Sequence, residues 1–512
     1  MSENILNIAA ALAKIIPEHC IIHNEMEIGK LTRDTSSTKQ SINLILHPDD
    51  KEQIQKIVIF ANKHQLKLYP VSTGCNWGYG TIQPPTSYCI LVILDRLKSI
   101  KFDKELGLIS VEPGVTQSDL YAFFQKHDNH YMVPTTGAGP HCSIIGNALE
   151  RGYGITPVAD HFAAVMGLEV ILPDGKTYRS PLLEKNFTPL LKWGIGPYLD
   201  GLFSQSNYGI VTEMTLVVEH KPESVQMFIA TVRKNCLSSS INAIRSLLRH
   251  AKGNIGGINL MNAERLAIMN RDVHQGKLIK KKDSHQHWLI VGTIYGTKKH
   301  VQATRALVKK ELSSVTQRPL FISASNIQLV KRAANLLPGL FKQLKQTMSG
   351  LSEIFGLFEG KPSDISLRLA YYKNRDREKG ILNPAKDHSG LLWYSPIVPM
   401  RARDFETFIE FIYNVCEKYN IDPAVTLTSL SANAFDCTLP LLFTPEAEEE
   451  KLAYECYHEL ITVGRSLGFT PYRLHSRFMS EHFIRDIASA HFARIIKKAI
   501  DPNNVISPGR YE

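Results

Sequence analysis

Short apolar runs alternate with amphipathic stretches along the N-terminal part of the chain, up to about Pro222. The first unit consists of INLILHP, then KEQIQKIVIFANKHQ with apolar residues at helical spacing, then LKLYPVSTG, which predicts strand, helix and strand. Three further strand-like runs follow, namely CILVILDRL, GLISVEPGV and AVMGLEVILPDG. Because turns with Gly, Pro or Asp separate these runs, we expect an α/β unit whose loops carry the functional site.

The pattern changes after Pro222 to longer strands and longer helices. Strands are predicted for VQMFIATVRK, HWLIVGTIYG and GLLWYSPIVPM, and amphipathic helices for SSINAIRSLLRHA, RDFETFIEFIYNVCEKY and EEEKLAYECYHELITVGRSLG. This order indicates an antiparallel sheet covered by helices. Residues 271–287 (RDVHQGKLIKKKDSHQH) are basic and lack periodicity, which is typical of a solvated loop, with a docking patch as the alternative.

Length and composition limit the class of protein. At 512 residues the chain exceeds the ~250 to 300 residues at which single cores stop growing, so two or three domains are expected. Hydrophobic residues make up 44% and charged residues 21%, as in folded globular proteins. The net charge of +10 favours acidic small molecules or an acidic protein partner, and we expect no nucleic-acid binding.

The cysteines and the N-terminus bear on location. The eight cysteines form no C-x-x-C pair and no Cys/His cluster at zinc spacing, so we expect no metal site and a reducing, cytoplasmic setting. The first residues carry Glu3 before any basic residue and Lys14 within the apolar stretch, which predicts an amphipathic helix and not a signal peptide. No run approaches the ~18 to 20 apolar residues of a membrane span, so we expect no membrane insertion.

Two glycine-rich segments are the first candidates for chemistry. Residues 69–80 (YPVSTGCNWGYG) lead from a strand into a turn with Gly74, Gly78 and Gly80, and a second such segment starts at Gly137. Glycine permits positive φ and close approach of backbone N–H groups to an anion, so the loops predict a phosphate cradle. The first loop is neither a Walker loop nor a G-x-G-x-x-G fingerprint, and each loop by itself is also compatible with ordinary turns.

Taken in order, five segments closely resemble the vanillyl-alcohol oxidase/p-cresol methylhydroxylase family of FAD-linked oxidoreductases: STGCNWGYG, SVEPGVTQSDL, GNALERGYGITPVADHF, GPYLDGLFSQSNYGIVTEMTLVV and DPNNVISPGR. The similarity covers nearly the whole chain and is closest to the branch that oxidises 4-alkylphenols. It implies an α+β, two-domain flavoprotein. An FAD-binding domain with two subdomains would comprise residues 1–225 and 470–512, and a substrate cap domain with a helix-covered antiparallel sheet would comprise residues 226–469.

The resemblance also implies the residues that bind FAD. It assigns the loop 72–76 to the pyrophosphate and residues 210–211 to the adenine end. The complete implied set is Ser72, Thr73, Gly74, Cys75, Asn76, Ser143, Gly146, Asn147, Gly154, Thr156, Ile210, Val211 and Arg510.

The segment PYRLHSRFM places Tyr472 and Arg473 side by side, a pair that by itself is typical of a protein surface. In the resembled enzymes the matching pair and the tyrosine of the G-Y-G turn, here Tyr79, hold a phenol oxygen. Such a clamp stabilises the phenolate, which eases hydride transfer from the benzylic carbon to flavin N5 and leaves a quinone methide. Asp160 matches the family's acidic residue near N5, with a turn-capping aspartate as the alternative.

The family pattern breaks where many members attach FAD covalently. Phe443 stands where the tyrosine-linked type has Tyr, and Asp436 with Cys437 stands where the histidine-linked type has a His pair. No His or Tyr lies between Tyr419 and Tyr454, so we predict tight, non-covalent FAD. Cys75 replaces an Arg of the closest relatives; a buried thiol is the expected role, and a thioether to flavin is the alternative.

These observations leave three functions open. The first is oxidation of a para-substituted phenol or a related aromatic natural-product intermediate. The second is oxidation of a non-phenolic alcohol, hydroxy acid or lactam, with Tyr79, Tyr472 and Arg473 holding a carboxylate or carbonyl. The third is a basic, non-enzymatic interaction protein that uses residues 271–287. The electron acceptor is oxygen or a redox partner that no motif identifies, and a homodimer is the default assembly.

Overall fold

The computed structural model describes residues 2–269, 273–274, 277–278, 287–336, 342–484 and 487–512. The helices are α1 (Ser2–Leu12), α2 (Glu25–Leu31), α3 (Lys51–Lys63), α4 (Gln117–His127), α5 (Ile144–Leu149), α6 (Pro181–Glu184), α7 (Leu237–His250), α8 (Ala263–Met269), α9 (Lys298–Leu312), α10 (Ala324–Leu336), α11 (Lys342–Phe358), α12 (Ala402–Lys418), α13 (Ala447–Ser466), α14 (Met479–His482) and α15 (Ala488–Ile500). The strands are β1 (Ile21–Ile22), β2 (Ile45–Leu46), β3 (Lys67–Val71), β4 (Cys89–Ile93), β5 (Ile100–Asp103), β6 (Leu108–Val111), β7 (Val165–Ile171), β8 (Thr177–Arg179), β9 (Ile210–Val217), β10 (Ser224–Thr231), β11 (Asn259–Asn262), β12 (Val273–His274), β13 (Lys277–Leu278), β14 (Trp288–Gly296), β15 (Leu320–Ile322), β16 (Gly390–Tyr394), β17 (Ile397–Pro399), β18 (Thr426–Ser429) and β19 (Ala434–Phe443).

The first sheet has four strands in the order β1-β2-β4-β3, and β2, β4 and β3 run parallel. Helix α3 connects β2 and β3; it begins after Asp50, whose carboxylate accepts the Gln53 N–H at 2.7 Å, and it buries one apolar face. The predicted strand, helix and strand are confirmed, although β2 is only two residues long. The chain leaves β3 directly into the glycine loop.

The second sheet has five antiparallel strands in the order β5-β6-β9-β7-β8. It packs against α4, which begins with a capping box formed by Thr116 and Asp119, and against α5. The C-terminal tail returns to the first sheet, where Leu68 N–H donates to Val505 O at 2.7 Å and Ser507 N–H donates to Leu68 O at 2.8 Å. The tail thereby brings the last residues beside the glycine loop.

The third sheet is antiparallel and has eight strands, in the order β15-β10-β14-β11-β18-β19-β16 with β17 paired to β19. Helices α7, α9, α12 and α13 cover one face of it and form the largest apolar cluster. Along β19, Cys437, Leu439 and Leu441 point into that cluster, so the intervening Asp436, Thr438 and Pro440 point to the opposite face. The predicted antiparallel sheet covered by helices is confirmed, while the domain limits at 225 and 469 remain predictions.

The basic segment 271–287 lies mostly outside the described residues, which include from it only β12, β13 and His287. Its interpretation as a solvated loop or a docking patch therefore stays a prediction. Within the described ranges, no helix combines the length and the apolar character needed to cross a lipid bilayer.

Candidate active site

An open cleft of about 1120 Å³ lies between the two N-terminal sheets and the C-terminal tail. The loop after β3, helix α5, the start of β9 and the tail supply its walls. Eleven of the predicted cofactor-binding residues line it: Ser72, Thr73, Gly74, Cys75, Asn76, Ser143, Gly146, Asn147, Ile210, Val211 and Arg510. Residues from separate segments of the chain therefore lie together around one cleft.

The glycine loop is held by two distant parts of the chain. Gly78 has φ +72°, and a Cβ there would overlap the Trp393 indole; Gly80 has φ +100°, and a Cβ there would overlap the Ser476 side chain. Trp393 N–H also donates to Gly78 O at 3.2 Å. Both glycines are therefore required by backbone conformation and by close packing. Tyr79 between them is fixed in position.

The loop also packs tightly against α5. Ser143 caps this helix by accepting the Gly146 N–H at 3.0 Å, and its own N–H donates to Thr73 Oγ1 at 3.1 Å. A Cβ on Gly146 would overlap the Ser72 hydroxyl. The cleft thus has a narrow floor of backbone and small hydroxyl side chains, which fits the pyrophosphate of FAD because such groups donate hydrogen bonds at short range. The residues present fit the dinucleotide predicted from the sequence.

Two predicted cofactor contacts do not lie in this cleft. Gly154 faces His161 and Thr135, where a Cβ would overlap the imidazole, and Thr156 is buried with its hydroxyl donating to Val158 O at 3.3 Å. Both residues shape the turn that carries Asp160, and they act on the cleft only indirectly in this structure. A direct contact of Gly154 and Thr156 with FAD therefore stays a prediction.

Asp160 does not line this cleft either, and its predicted place near the flavin stays a prediction. The residue is exposed, and its Oδ1 accepts the Ala163 N–H at 2.9 Å, which is the turn-capping alternative. The neighbouring His161 is buried, and its Nδ1 is hydrogen-bonded to Asn147 Oδ1. Burial lowers the pKa of His161 to about 4, so the ring is neutral at physiological pH.

Three of the predicted catalytic residues lie together. The Arg473 guanidinium lies over the Tyr79 ring, 4.1 Å from its centroid. The Tyr79 hydroxyl is hydrogen-bonded to Ser395 Oγ at 2.6 Å, and Tyr472 N–H donates to Ser395 O at 3.1 Å. Ser395, a buried residue that follows β16, therefore links the two tyrosines. Sequence reasoning missed it because an isolated serine carries no motif.

Glu150, at the end of α5, compensates the charge of Arg473. The Arg473 Nη2 lies 3.5 Å from Glu150 Oε2 and donates to Asn76 Oδ1, while Arg510 pairs with the other oxygen of Glu150. Burial is the largest single influence and by itself would lower the pKa of Arg473, but Glu150 together with Tyr472, Tyr79 and Tyr511 outweighs it, so the pKa is raised. Arg473 therefore stays cationic, and one carboxylate serves two guanidinium groups. Arg510 also donates to Tyr69 Oη at 3.2 Å.

A buried carboxyl group, Asp436, completes this cluster. The following residue, Cys437, donates its N–H to Pro396 O at 3.0 Å, and Pro396 pairs with Pro471, which brings Asp436 beside Tyr472. Asp436 is 4% exposed, and no described residue bonds its Oδ1. Burial raises its pKa well above the ordinary value, against a smaller lowering by Arg473. The detectable sequence signal was one acidic residue inside the apolar strand AFDCTLPLLF.

A second buried pair fixes the clamp to the N-terminal segment. His475 Nε2 lies 3.3 Å from Asp34 Oδ2, and both side chains are fully buried. Asp34 also accepts the Thr81 hydroxyl at 2.6 Å, next to the glycine loop. Asp34 therefore ties the segment of Tyr472 and Arg473 to the segment of Tyr79. Its role was invisible in the sequence because these groups are far apart along the chain.

The residues considered for covalent attachment of FAD are unreactive in this structure. Phe443 is packed in the apolar cluster beneath α12 and α13. The Cys75 thiol faces the cleft, donates to His141 O at 3.5 Å, and has a pKa raised to about 11 by burial. A thiol of that pKa is protonated at neutral pH and is a weak nucleophile. Non-covalent binding remains the prediction.

Comparisons with known proteins agree with this geometry. Residues 42–180 match the family model described as FAD binding domain. The chain is 27% identical to a 1'-carboxy-chondrochloren decarboxylase from Chondromyces crocatus, over 93% of this chain and 92% of that protein. It is 26% identical to the flavoprotein subunit of 4-cresol dehydrogenase [hydroxylating] from Pseudomonas putida, over 90% of this chain and 85% of that protein.

The fold has a close structural counterpart. A crystal structure of p-cresol methylhydroxylase with substrate bound superposes with a TM-score of 0.86 at 22% identity, covering 99% of this chain and 97% of that one. The two N-terminal sheets and the large antiparallel sheet thus have the fold of that protein. The chain thus carries an FAD-binding domain and is similar, in sequence and in fold, to the FAD-dependent oxidoreductase p-cresol methylhydroxylase.

Proposed function

We propose that this FAD-dependent oxidoreductase removes hydride from the benzylic carbon of a para-substituted phenol or related aromatic intermediate. The observation that carries the proposal is the cluster of Tyr79, Tyr472 and Arg473 around Ser395, with Arg473 bordering the FAD cleft. When bound, FAD supplies the two-electron acceptor, its N5 taking the hydride and leaving a quinone methide.

The side chains of the chain itself bind and polarise the phenol. A free phenol has a pKa of about 10, and each unit by which a site lowers it corresponds to ~1.4 kcal/mol of preference for the anion. Arg473 stays charged, and burial raises the pKa of Tyr79 and of Tyr472, so both remain hydrogen-bond donors. Asp436, with its raised pKa, is suited to exchange a proton with the substrate. The site therefore favours the phenolate that releases hydride most easily.

Substitutions in the clamp test this proposal. Tyr472→Phe removes a hydrogen-bond donor, and Arg473→Lys removes a planar guanidinium. For each variant we expect kcat/KM for 4-alkylphenols to fall roughly 100-fold or more while FAD stays bound. The matched controls are the exposed Tyr88→Phe and Arg477→Lys. Stopped-flow flavin bleaching with 4-alkylphenols is the measurement. Full kcat/KM in both clamp variants, or bleaching only by non-phenolic alcohols, hydroxy acids or lactams, would contradict the phenol assignment.

Oxidative decarboxylation is a second candidate, favoured by the relative named as a decarboxylase, which this chain matches over 92% of its length. In a substrate with a carboxylate on the carbon next to the benzylic one, hydride removal yields a quinone methide. The carbon–carboxylate bond then breaks; its electron pair forms the vinyl double bond and the ring returns to phenolate as CO₂ leaves. Arg473 and the two tyrosines would stabilise the phenolate in both steps.

The release of CO₂ distinguishes the two candidates. We expect an anaerobic single turnover of the holoenzyme with 3-(4-hydroxyphenyl)propanoate to give one CO₂ per flavin reduced, together with 4-vinylphenol. Flavin reduction without CO₂ would exclude decarboxylation and leave hydride abstraction in place.

A further inference from the structure

Arg265 in α8 is a buried cation that the proposed mechanism does not use. Although the residue as a whole is part-exposed, its Nε and Nη1 atoms are buried and have no hydrogen-bond partner among the described residues. Arg473 and Arg510, in contrast, share Glu150. Buried charges in proteins are normally paired, since an isolated one is costly to remove from water.

No carboxylate of the described residues forms an ion pair with Arg265. Burial lowers its pKa to about 10, against a smaller opposing contribution from Cys437. At neutral pH the guanidinium still carries its proton. A protein that keeps a full charge in such a place is best explained by an anionic group that arrives with a ligand.

Arg265 lies on the face of the large sheet that also carries Asp436. Its guanidinium carbon is 6.0 Å from the centroid of the Trp393 ring, and Trp393 is paired in register with Pro440 on β19. Pro440 follows Asp436 by four residues, a distance of roughly 14 Å at ~3.4 Å per residue. Trp393 in turn contacts Gly78, next to Tyr79. The cation is thus on the same side of the sheet as Asp436, and Trp393 connects it to the glycine loop that carries Tyr79.

A second unsatisfied group lies on the same face. Thr426 of β18 is paired in register with Thr438 of β19 and with Met261 of β11, four residues before Arg265. The Thr426 hydroxyl is buried and has no partner in the part of the chain that the structure describes. Cys437, which acts electrostatically on Arg265, is paired in register with Leu427, the neighbour of Thr426. A guanidinium and a hydroxyl on one face of a sheet can together donate hydrogen bonds to a carboxylate.

We propose that Arg265, assisted by Thr426, binds a carboxylate on the para side chain of the substrate, at the end opposite the phenol oxygen. This inference rests on the proposed phenol-oxidising function and narrows it to (4-hydroxyphenyl)alkanoates and their larger analogues. Arg473 and the tyrosines hold one end of the ligand, and Arg265 holds the other. Two anchors of this kind would fix the benzylic carbon between them.

Three probes test the assignment on the holoenzyme: 3-(4-hydroxyphenyl)propanoate, 4-propylphenol and 3-phenylpropanoate, titrated anaerobically through the change in flavin absorbance. We expect Arg265→Gln to raise the Kd of both carboxylates at least tenfold and to leave the Kd of 4-propylphenol within twofold. Arg265→Lys should retain part of the preference, and the exposed Arg249→Gln is the matched control. Thermal unfolding checks folding; Arg265→Met is the replacement if the glutamine variant unfolds.

The results with the three probes distinguish a failure of this inference from a failure of the proposed function on which it rests. Equal carboxylate affinity in wild type and Arg265→Gln would overturn the role of Arg265 while phenol oxidation stands. If 4-propylphenol and the hydroxyphenyl acid neither bind nor bleach the flavin, the phenol function is wrong. Loss of 3-phenylpropanoate binding in Arg265→Gln would then still support a carboxylate site at Arg265.

Discussion

Asp436 shows how a single buried side chain sets the chemistry of this site. It lies on the sheet face opposite the apolar cluster, beside Tyr472, and burial keeps its pKa well above that of an ordinary aspartate. Arg473, close by, is already balanced by Glu150. The site therefore combines a permanent cation with a carboxyl group whose pKa is raised by burial.

Asp436→Asn is expected to raise the stability of the protein and to lower its activity. The folded-state pKa of Asp436 is raised, so its contribution to stability is fully present below about pH 4 and is lost as pH rises through the folded pKa. At pH 7 the free energy of unfolding of the Asn variant should exceed that of wild type by on the order of 1 kcal/mol or more, so the variant should unfold at a higher temperature. Near pH 4 the two proteins should unfold at the same temperature. Its kcat with 4-alkylphenols should fall. Calorimetry from pH 4 to 8 is the measurement. A difference in unfolding temperature between variant and wild type that does not change with pH would contradict the prediction.

At the scale of elements, the glycine loop connects the cleft with the large antiparallel sheet. It follows β3, contacts β16 through Trp393, and contacts the C-terminal segment through Ser476. The elements themselves follow from local pattern: α3, α7, α12 and α13 coincide with the predicted amphipathic stretches within a few residues. The tight fit of the loop does not follow from pattern, because it depends on which side chains lie opposite each glycine.

Gly78→Ala tests the contact between the glycine loop and Trp393. The new methyl group would overlap the Trp393 indole at a backbone φ of +72°, so we expect a loss of stability of about 1 to 3 kcal/mol and a lower kcat/KM through displacement of Tyr79. Gly29→Ala in α2 is the control, since nothing lies within 4 Å of a Cβ there. The control should be neutral or stabilise by up to about 1 kcal/mol. Urea unfolding compares the two; equal effects would refute the packing argument.

For the whole molecule, the FAD cleft is built from segments that only the complete fold assembles. The first sheet, the second sheet and the tail each supply a wall, and Glu150 links Arg473 and Arg510 across it. A ligand that bridges these parts should stabilise all of them together. A free ligand concentration of 1,000 times its Kd raises the free energy of unfolding by about 4.1 kcal/mol.

Non-covalent FAD predicts that the cofactor separates on denaturation. Acid precipitation should leave the yellow colour in the supernatant, and added FAD should raise the unfolding temperature of the stripped protein in a concentration-dependent way. Phe443 and the protonated Cys75 offer no linkage. A yellow pellet would contradict this prediction, and Cys75→Ser would then show whether that thiol holds the flavin.

The sequence by itself determined the elements, the helix-covered antiparallel sheet, the glycine loop and the pairing of Tyr79 with Tyr472 and Arg473 through family resemblance. Those features depend on local periodicity and on short motifs. Only the tertiary structure decided that Asp436 lies beside Tyr472, that Asp160 caps a turn, and that no described residue forms an ion pair with Arg265. The physical reason is separation: Arg473 meets Asn76 across 397 residues and Arg510 meets Glu150 across 360. Which buried charge finds a partner is settled by packing across such distances, and no local pattern encodes it.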